Sequence, residues 1–206
     1  MNNKFAIQAR GITKKFNKAL LFKDLDFSIA SGKSLAVTGP NGSGKSTLLE
    51  IAAMLKMPTK GTVRYAQNES DIPQDKIHSM IGFSSFRINP YGELTGYENI
   101  MFVAGGAGKD LSRADELLNR LNLYADRNKR VRHYSSGMKQ RLRFLLAVIN
   151  EPPVLFFDEP GANLDRQGKD IVYSCIESLK KARIIIIATN EEEEAGLCDE
   201  RIRLGR

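Results

Sequence analysis

Nine consecutive residues, GPNGSGKST from Gly39 to Thr47, place three glycines, one lysine and three hydroxyls in an order suited to a chain of phosphates. Gly39, Gly42 and Gly44 let the backbone curl so that successive N–H groups point inward at an anion. Lys45 is spaced to reach β- and γ-phosphates, and the Ser46 hydroxyl to coordinate Mg²⁺. The run Gly39, Pro40, Asn41, Gly42, Ser43, Gly44, Lys45, Ser46 and Thr47 therefore reads as a nucleotide-binding loop. A chance glycine-rich turn is the competing reading, and the strand before the loop and the helix after it argue against that.

Phosphoryl transfer also needs an acidic residue at the end of a neighbouring core strand. VLFFDEP supplies it: four apolar residues, Val154 to Phe157, lead into Asp158 and Glu159. Asp158 at the strand tip is placed to hold Mg²⁺, and Glu159 to polarise an attacking water as a general base. A third strand end, IIIIATNEEEE, brings Asn190 to the corner between four isoleucines and four glutamates. Asparagine there is a natural cap for an acidic helix.

The elements that position these residues alternate between β and α. Phe5 to Phe16 suggests a strand and a loop. Two strands follow, separated by Ser31 and Gly32, with Leu25, Phe27 and Ile29 facing one way. The glycine loop opens a helix expected over Ser46 to Lys56, and Gly61 to Ala66 is a further strand. From about Tyr97 to Asn150 the pattern turns helical, with Leu117, Leu118 and Leu121 on one face and Ser112 as an N-cap. After Pro152 and Pro153 the β/α alternation resumes, with a helix around residues 166–182. A helical block inside an α/β core suggests an inserted subdomain.

Composition sets broad bounds. The 206 residues suffice for one substantial core, and 42% hydrophobic with 27% charged residues is ordinary for a globular protein. No apolar run approaches the roughly 20 residues that span a bilayer, and the N-terminus lacks a signal-peptide pattern. Two cysteines, Cys175 and Cys198, make no disulfide framework. The cytoplasm is the expected compartment. The formal charge of +7 comes from scattered Lys and Arg without an array of aromatics, so nucleic acid is not the expected partner.

Between the two phosphate motifs lies HYSSGMKQRLRFLLAVINEPPVLFFDEPGANLD, His133 to Asp165. Over essentially the whole chain the sequence resembles the ATP-binding subunit of ABC transporters. The family signature LSGGQ stands here as Tyr134-Ser135-Ser136-Gly137-Met138, keeping the serine and the second glycine. The resemblance implies a single domain over 1–206: an α/β, P-loop NTPase (RecA-like) core with an antiparallel β-subdomain and an inserted helical subdomain at approximately 90–150. It implies ATP and Mg²⁺ as ligands and a head-to-tail dimer. In that dimer Ser135 and the Gly137 amide face the ATP of a second subunit, the partner being expected as another copy of this chain. Asp165 matches the aspartate that crosses the dimer interface. Phe16 resembles the aromatic that stacks on adenine, with a core position as the alternative. ELTGYENI, Glu93 to Ile100, resembles the start of the helical subdomain.

Two positions depart from the family pattern. The loop after MIGFSS should carry a glutamine that touches Mg²⁺ and the attacking water. The ungapped match puts Phe86 there, and a shifted register offers only Ser84, Ser85 or Arg87. The strand end that normally carries a histidine contacting the γ-phosphate has Asn190, which makes Asn190 either a weakened γ-phosphate sensor or the helix cap already noted. With Lys45, Ser46, Asp158 and Glu159 retained, slow ATPase activity is expected, with an ATP-dependent switch or a soluble non-transport ATPase as alternatives. The resemblance further implies a separate integral membrane permease, whose short helix enters the groove beside residues 86–91, and attachment to the inner face of the cell membrane. The apolar FRINPY segment is either core or adapted to that partner. Size and signature are similar to exporter-type subunits, including the haem-exporter ATP-binding subunit. The chain ends almost at its last core strand, ERIRLG, so no appended domain is expected.

Overall fold

The computed structural model describes residues 4–17, 19–105 and 112–205. Gly106 and Leu111, at the edges of two helical runs read from the sequence, lie outside these residues. Two sheets organise the chain. The first is antiparallel and contains β1 (Phe5–Phe16), β2 (Ala19–Ala30), β4 (Lys60–Gln67) and β5 (Ser70–Asp71), in the order β2-β1-β4-β5. The loop expected within residues 5–16 is instead one continuous strand, its irregularities absorbed by register shifts between Ala9 and Lys15.

The second sheet holds β3 (Ser34–Thr38), β6 (Ile81–Ser84), β7 (Val154–Asp158), β8 (Ile184–Thr189) and β9 (Glu200–Arg203), in the order β6-β7-β8-β3-β9. Its pairings are all parallel. Parallel neighbours require crossovers, so the carboxyl ends of these strands gather at one edge. In register, Thr38 pairs with Thr189, Asp158 with Ala188 and Ser84 with Phe157. The loops after β3, β6, β7 and β8 therefore leave the sheet side by side.

Helices cover the parallel sheet. They are α1 (Lys45–Ala52), the single turn α2 (Gln74–Ile77), α3 (Gly96–Ala104), α4 (Ser112–Arg120), α5 (Ser136–Val148), α6 (Arg166–Leu179) and the single turn α7 (Glu192–Ala195). Ser112 opens α4 as its first helical residue. The α1 helix stops four residues before Lys56, the predicted end. The Tyr65 hydroxyl donates to the Ala52 carbonyl at 2.7 Å, Met54 turns to φ 56°, and Thr59 N–H bonds to Thr13 O at 2.8 Å to begin β4. Tertiary hydrogen bonds here override the helical propensity of MLK.

Every side chain of β7 and β8 is buried, yet alternate residues go to different cores. Val154, Phe156, Ile184 and Ile186 pack with Leu48, Leu49 and Ile51 of α1 and with Ile7 and Ile12 of β1. Leu155, Phe157, Ile185 and Ile187 pack with Ile100, Leu142, Phe144, Leu145 and Ile176 of the helices. Burying an aliphatic or aromatic side chain of this kind contributes roughly 1.5–3 kcal/mol, so two cores sharing two strands hold the strand ends rigidly.

Candidate functional site

The loop between β3 and α1 depends on residues without a side chain. Gly39 and Gly44 sit at φ 145° and 100°, where other residues are strained. A Cβ on Gly39 would run into the Leu204 carbonyl, and one on Gly44 into the Leu21 side chain. Lys45 is buried, and its Nζ donates to the carbonyls of Gly39 (2.9 Å) and Pro40 (3.2 Å). Its ammonium is thus folded back over the loop that precedes it. The Ser43 hydroxyl is buried and makes no hydrogen bond among the described residues. Next to the N-terminus of α1 it is a donor without a partner among the described residues, which suits a bound phosphate oxygen.

Asp158, at the end of β7, is 2% exposed. Ser46 Oγ donates to its Oδ1 at 3.0 Å, and Ser85 Oγ to its Oδ2 at 3.2 Å. Burial pushes this carboxyl above its usual range, the Ser46 and Ser85 hydroxyls oppose that, neighbouring Glu159 adds to it, and Arg87 counters it. A buried carboxylate in this position is relieved by a cation. Ser46 and Asp158 converge from two elements with hard oxygen donors, so the donor set fits Mg²⁺ completed by nucleotide and water oxygens.

Glu159 follows with φ 50°, an uncommon conformation for a glutamate. Its N–H bonds to the Ala188 carbonyl at 2.9 Å, and its carbonyl accepts from Gln140 Nε2 at 3.2 Å. The backbone of the candidate base is therefore held from both sides.

Comparison with known proteins agrees with this geometry. The sequence pattern of the family described as ABC transporter matches residues 22–162. The lipoprotein-releasing system ATP-binding protein LolD of Bacteroides fragilis is 31% identical over 209 residues, covering 96% of this chain and 97% of LolD. The chain belongs to the ABC transporter family. The arginine transport ATP-binding protein ArtP of Escherichia coli K12 is 34% identical, with 92% of this chain and 84% of ArtP covered. The chain spans only 64% of the daunorubicin resistance ATP-binding protein DrrA3 of Streptomyces coeruleorubidus, at 33% identity. Among solved structures, the dimeric post-hydrolysis state of the ATP-binding cassette MJ0796, bound to ADP and Pi, superposes with a TM-score of 0.83 at 25% identity. That match covers 96% of this chain and 94% of the other, and the ABC cassette fold read from the sequence is the fold observed.

The remaining family positions fall as follows. Phe16 is not core: it ends β1 at 47% exposure, with Lys14 Nζ 5.1 Å and Lys56 Nζ 5.7 Å from its ring centroid. An exposed aromatic ring with two cations beside it suits an adenine that carries phosphates. Ser135 is the N-cap of α5, accepting from Met138 N–H at 3.1 Å. The Gly137 amide lies in the first turn of α5, where backbone N–H groups lack helical partners and suit an anion. Asp165 caps α6, accepting from Gly168 N–H at 2.8 Å.

Phe86 is 49% exposed, and it is the preceding residue, Ser85, that turns inward to Asp158. Ile88, Tyr91, Phe102 and Val103 are exposed as well, so the FRINPY segment is surface, beside a groove of about 660 Å³. Asn190 does not take the capping position of α7, which belongs to Glu191. Its Nδ2 donates instead to Asn41 Oδ1 in the phosphate loop, at 3.2 Å.

Two further residues escaped the sequence reading. Gln140 reaches the Glu159 and Pro160 carbonyls from α5. Its spacing from Phe144 and Val148 on the buried helical face was the available signal. Glu194 is 1% exposed and accepts from Gly161 N–H at 2.6 Å and from the Tyr173 hydroxyl at 3.1 Å. Nothing in EEEE distinguishes it from its three neighbours.

Proposed function

We propose that the chain is the ATP-binding, slowly ATP-hydrolysing subunit of an ABC transporter, working as a head-to-tail dimer beneath a separate membrane permease. The observation that carries this reading is the meeting of Ser46, Ser85 and Asp158 beneath the glycine loop, with Glu159 one residue on. Mg²⁺ held by Ser46 and Asp158 would neutralise the charge of the β- and γ-phosphates. Lys45 exchanges its two carbonyl partners for phosphate oxygens. Glu159 draws a proton from the attacking water. Ser135 and Gly137 of a second copy close the site, and Asp165 approaches from the same side. Asn190 gives up Asn41 and donates to the γ-phosphate from a neutral amide, a weaker contact than an imidazolium makes. With Phe86 turned outward and the short Ser85, not a glutamine, beside Asp158, turnover is slow.

The exposed aromatic and aliphatic side chains beside the groove support docking of an apolar helix from the permease. Among the described residues no helix is long and apolar enough to cross a membrane, which fits a peripheral subunit on the cytoplasmic face. The lipoprotein-releasing and daunorubicin-resistance relatives favour export as the direction. A second reading, an ATP-dependent dimerisation switch, draws on Phe86 and Asn190.

Steady-state phosphate release across a series of protein concentrations, beside Glu159→Gln, tests the proposal. The expected result is turnover that rises more steeply than linearly with protein and falls by about 10²–10⁴ in the variant. ATP binding without turnover above the variant would favour the switch.

A further inference from the structure

Gln140 and Arg143 lie one turn apart on α5, between the groove and the loop that carries Glu159. Gln140 is 1% exposed, so both halves of its amide require partners. Its Nε2 donates to the carbonyls of Glu159 and Pro160, each at 3.2 Å. Its Oε1 accepts from Arg143 Nη1 at 3.2 Å. The same guanidinium donates through Nε to the Ile88 carbonyl (3.2 Å) and through Nη2 to Asn89 Oδ1 (2.6 Å). Ile88, Asn89 and Arg143 all line the groove.

We propose that Gln140 and Arg143 are positioning residues, forming a hydrogen-bonded bridge through which the 88–89 segment of the groove sets the backbone of Glu159. The inference rests on the reading of Glu159 as the water-activating carboxylate.

Two features give the bridge its direction. The Gln140 amide has one workable orientation: turned over, its oxygen would face two carbonyls and its NH₂ group would face a guanidinium. Arg143 thereby decides whether Gln140 presents a donor to Glu159. Glu159, in turn, holds a φ of 50° that its surroundings must enforce. Its N–H is pinned by Ala188, and its carbonyl by Gln140 and, at 3.1 Å, by the Ala162 N–H. Losing the Gln140 bond leaves the carbonyl to the Ala162 N–H alone, which loosens that turn and shifts the carboxylate. The path bypasses position 86, where Phe86 offers no polar group, so a partner helix pressing on Ile88 and Asn89 would act on Glu159 through α5.

The test uses the purified full chain without nucleotide, then with ATP. Arg143→Lys keeps the stem and the charge but loses the planar fork. Amide hydrogen exchange is expected to speed up about tenfold at Glu159 and Ala162 as well as across residues 86–92, and kcat to fall about tenfold with the ATP half-saturation unchanged. In a Gln140→Met background, Arg143→Lys is expected to add no further loss. Faster exchange confined to residues 86–92, or fully additive effects of the two substitutions, would overturn the bridge. The two proposals fail separately. Exchange that responds at Glu159 in a chain without turnover keeps the bridge and removes the ATPase reading. Turnover that Glu159→Gln abolishes, with exchange at Glu159 unmoved by Arg143→Lys, does the reverse.

Discussion

Replacing Ser85 with alanine removes one of the two hydroxyls that hold the Asp158 carboxylate. Both Ser85 and Asp158 are buried, so water does not take the place of the lost donor. A hydrogen bond to a charged acceptor contributes about 1.5–3 kcal/mol, and Ser85→Ala should lower the stability of the ligand-free chain by that amount. For a chain of this size each kcal/mol shifts Tm by about 2–4 °C, giving a fall of roughly 3–12 °C by calorimetry or thermal circular dichroism. The pH dependence follows from the direction of the shift. Asp158 already ionises above the usual carboxylate range because of burial, and losing a donor to its charged form raises it further. The difference between the two proteins is therefore fully present where Asp158 is charged in both, and it fades as pH falls and the carboxyl protonates. Mg²⁺ with ATP should shrink the deficit, since a cation beside Asp158 supplies what the hydroxyl did. Equal stability at pH 8, or a deficit that grows on acidification, would refute the assignment of Ser85 to Asp158.

Asn190→His should raise kcat by up to about tenfold, as a donor of longer reach and, when protonated, positive charge faces the γ-phosphate; unchanged phosphate release would leave Asn190 as a partner of Asn41 alone. Gly82→Ala sets a Cβ against the Ala147 carbonyl, the Leu155 side chain and the Pro152 ring. Because backbone cannot yield, urea unfolding should show a loss of about 1–3 kcal/mol. Burial pushes the Glu194 carboxyl up, against the Thr189 hydroxyl, the Gly161 amide and the Tyr173 hydroxyl, while Glu191 adds to the rise. A raised carboxyl makes the folded state bind the proton more readily, so its contribution to stability declines as pH rises from the ordinary carboxylate value through the folded one. Glu194→Gln keeps an acceptor for Gly161 and should remove that slope from a stability-against-pH series between pH 4 and 8.

The parts of the site legible in the sequence are those whose chemistry is local. GPNGSGKST needs its glycines wherever a phosphate chain is wrapped, and an apolar run ending in Asp158-Glu159 declares both the strand and its tip. The parts that were not legible depend on partners distant in the chain. Ser85 was one of three alternatives in a shifted register, and only the pairing of β6 with β7 sets it against Asp158, 73 residues away. Glu194 is buried because a single turn of helix folds under Gly161, a placement that four identical side chains cannot reveal. The early end of α1 has the same cause: the Tyr65 hydroxyl that takes the Ala52 carbonyl arrives from β4. Likewise β5 and α2 are too short to carry a periodic signal.

The division of β7 between two cores makes the strand a party wall with a different tenant on each side. Phe156 belongs to the side of the phosphate loop and Phe157 to the side of the signature helix, although the two are neighbours in the chain. A fluorine reporter on either ring would hear one side only. Labelled in turn, the two rings would form a pair of gauges on a common mount, and ATP-driven motion of the helices could be separated from local closure around the nucleotide within a single residue's distance.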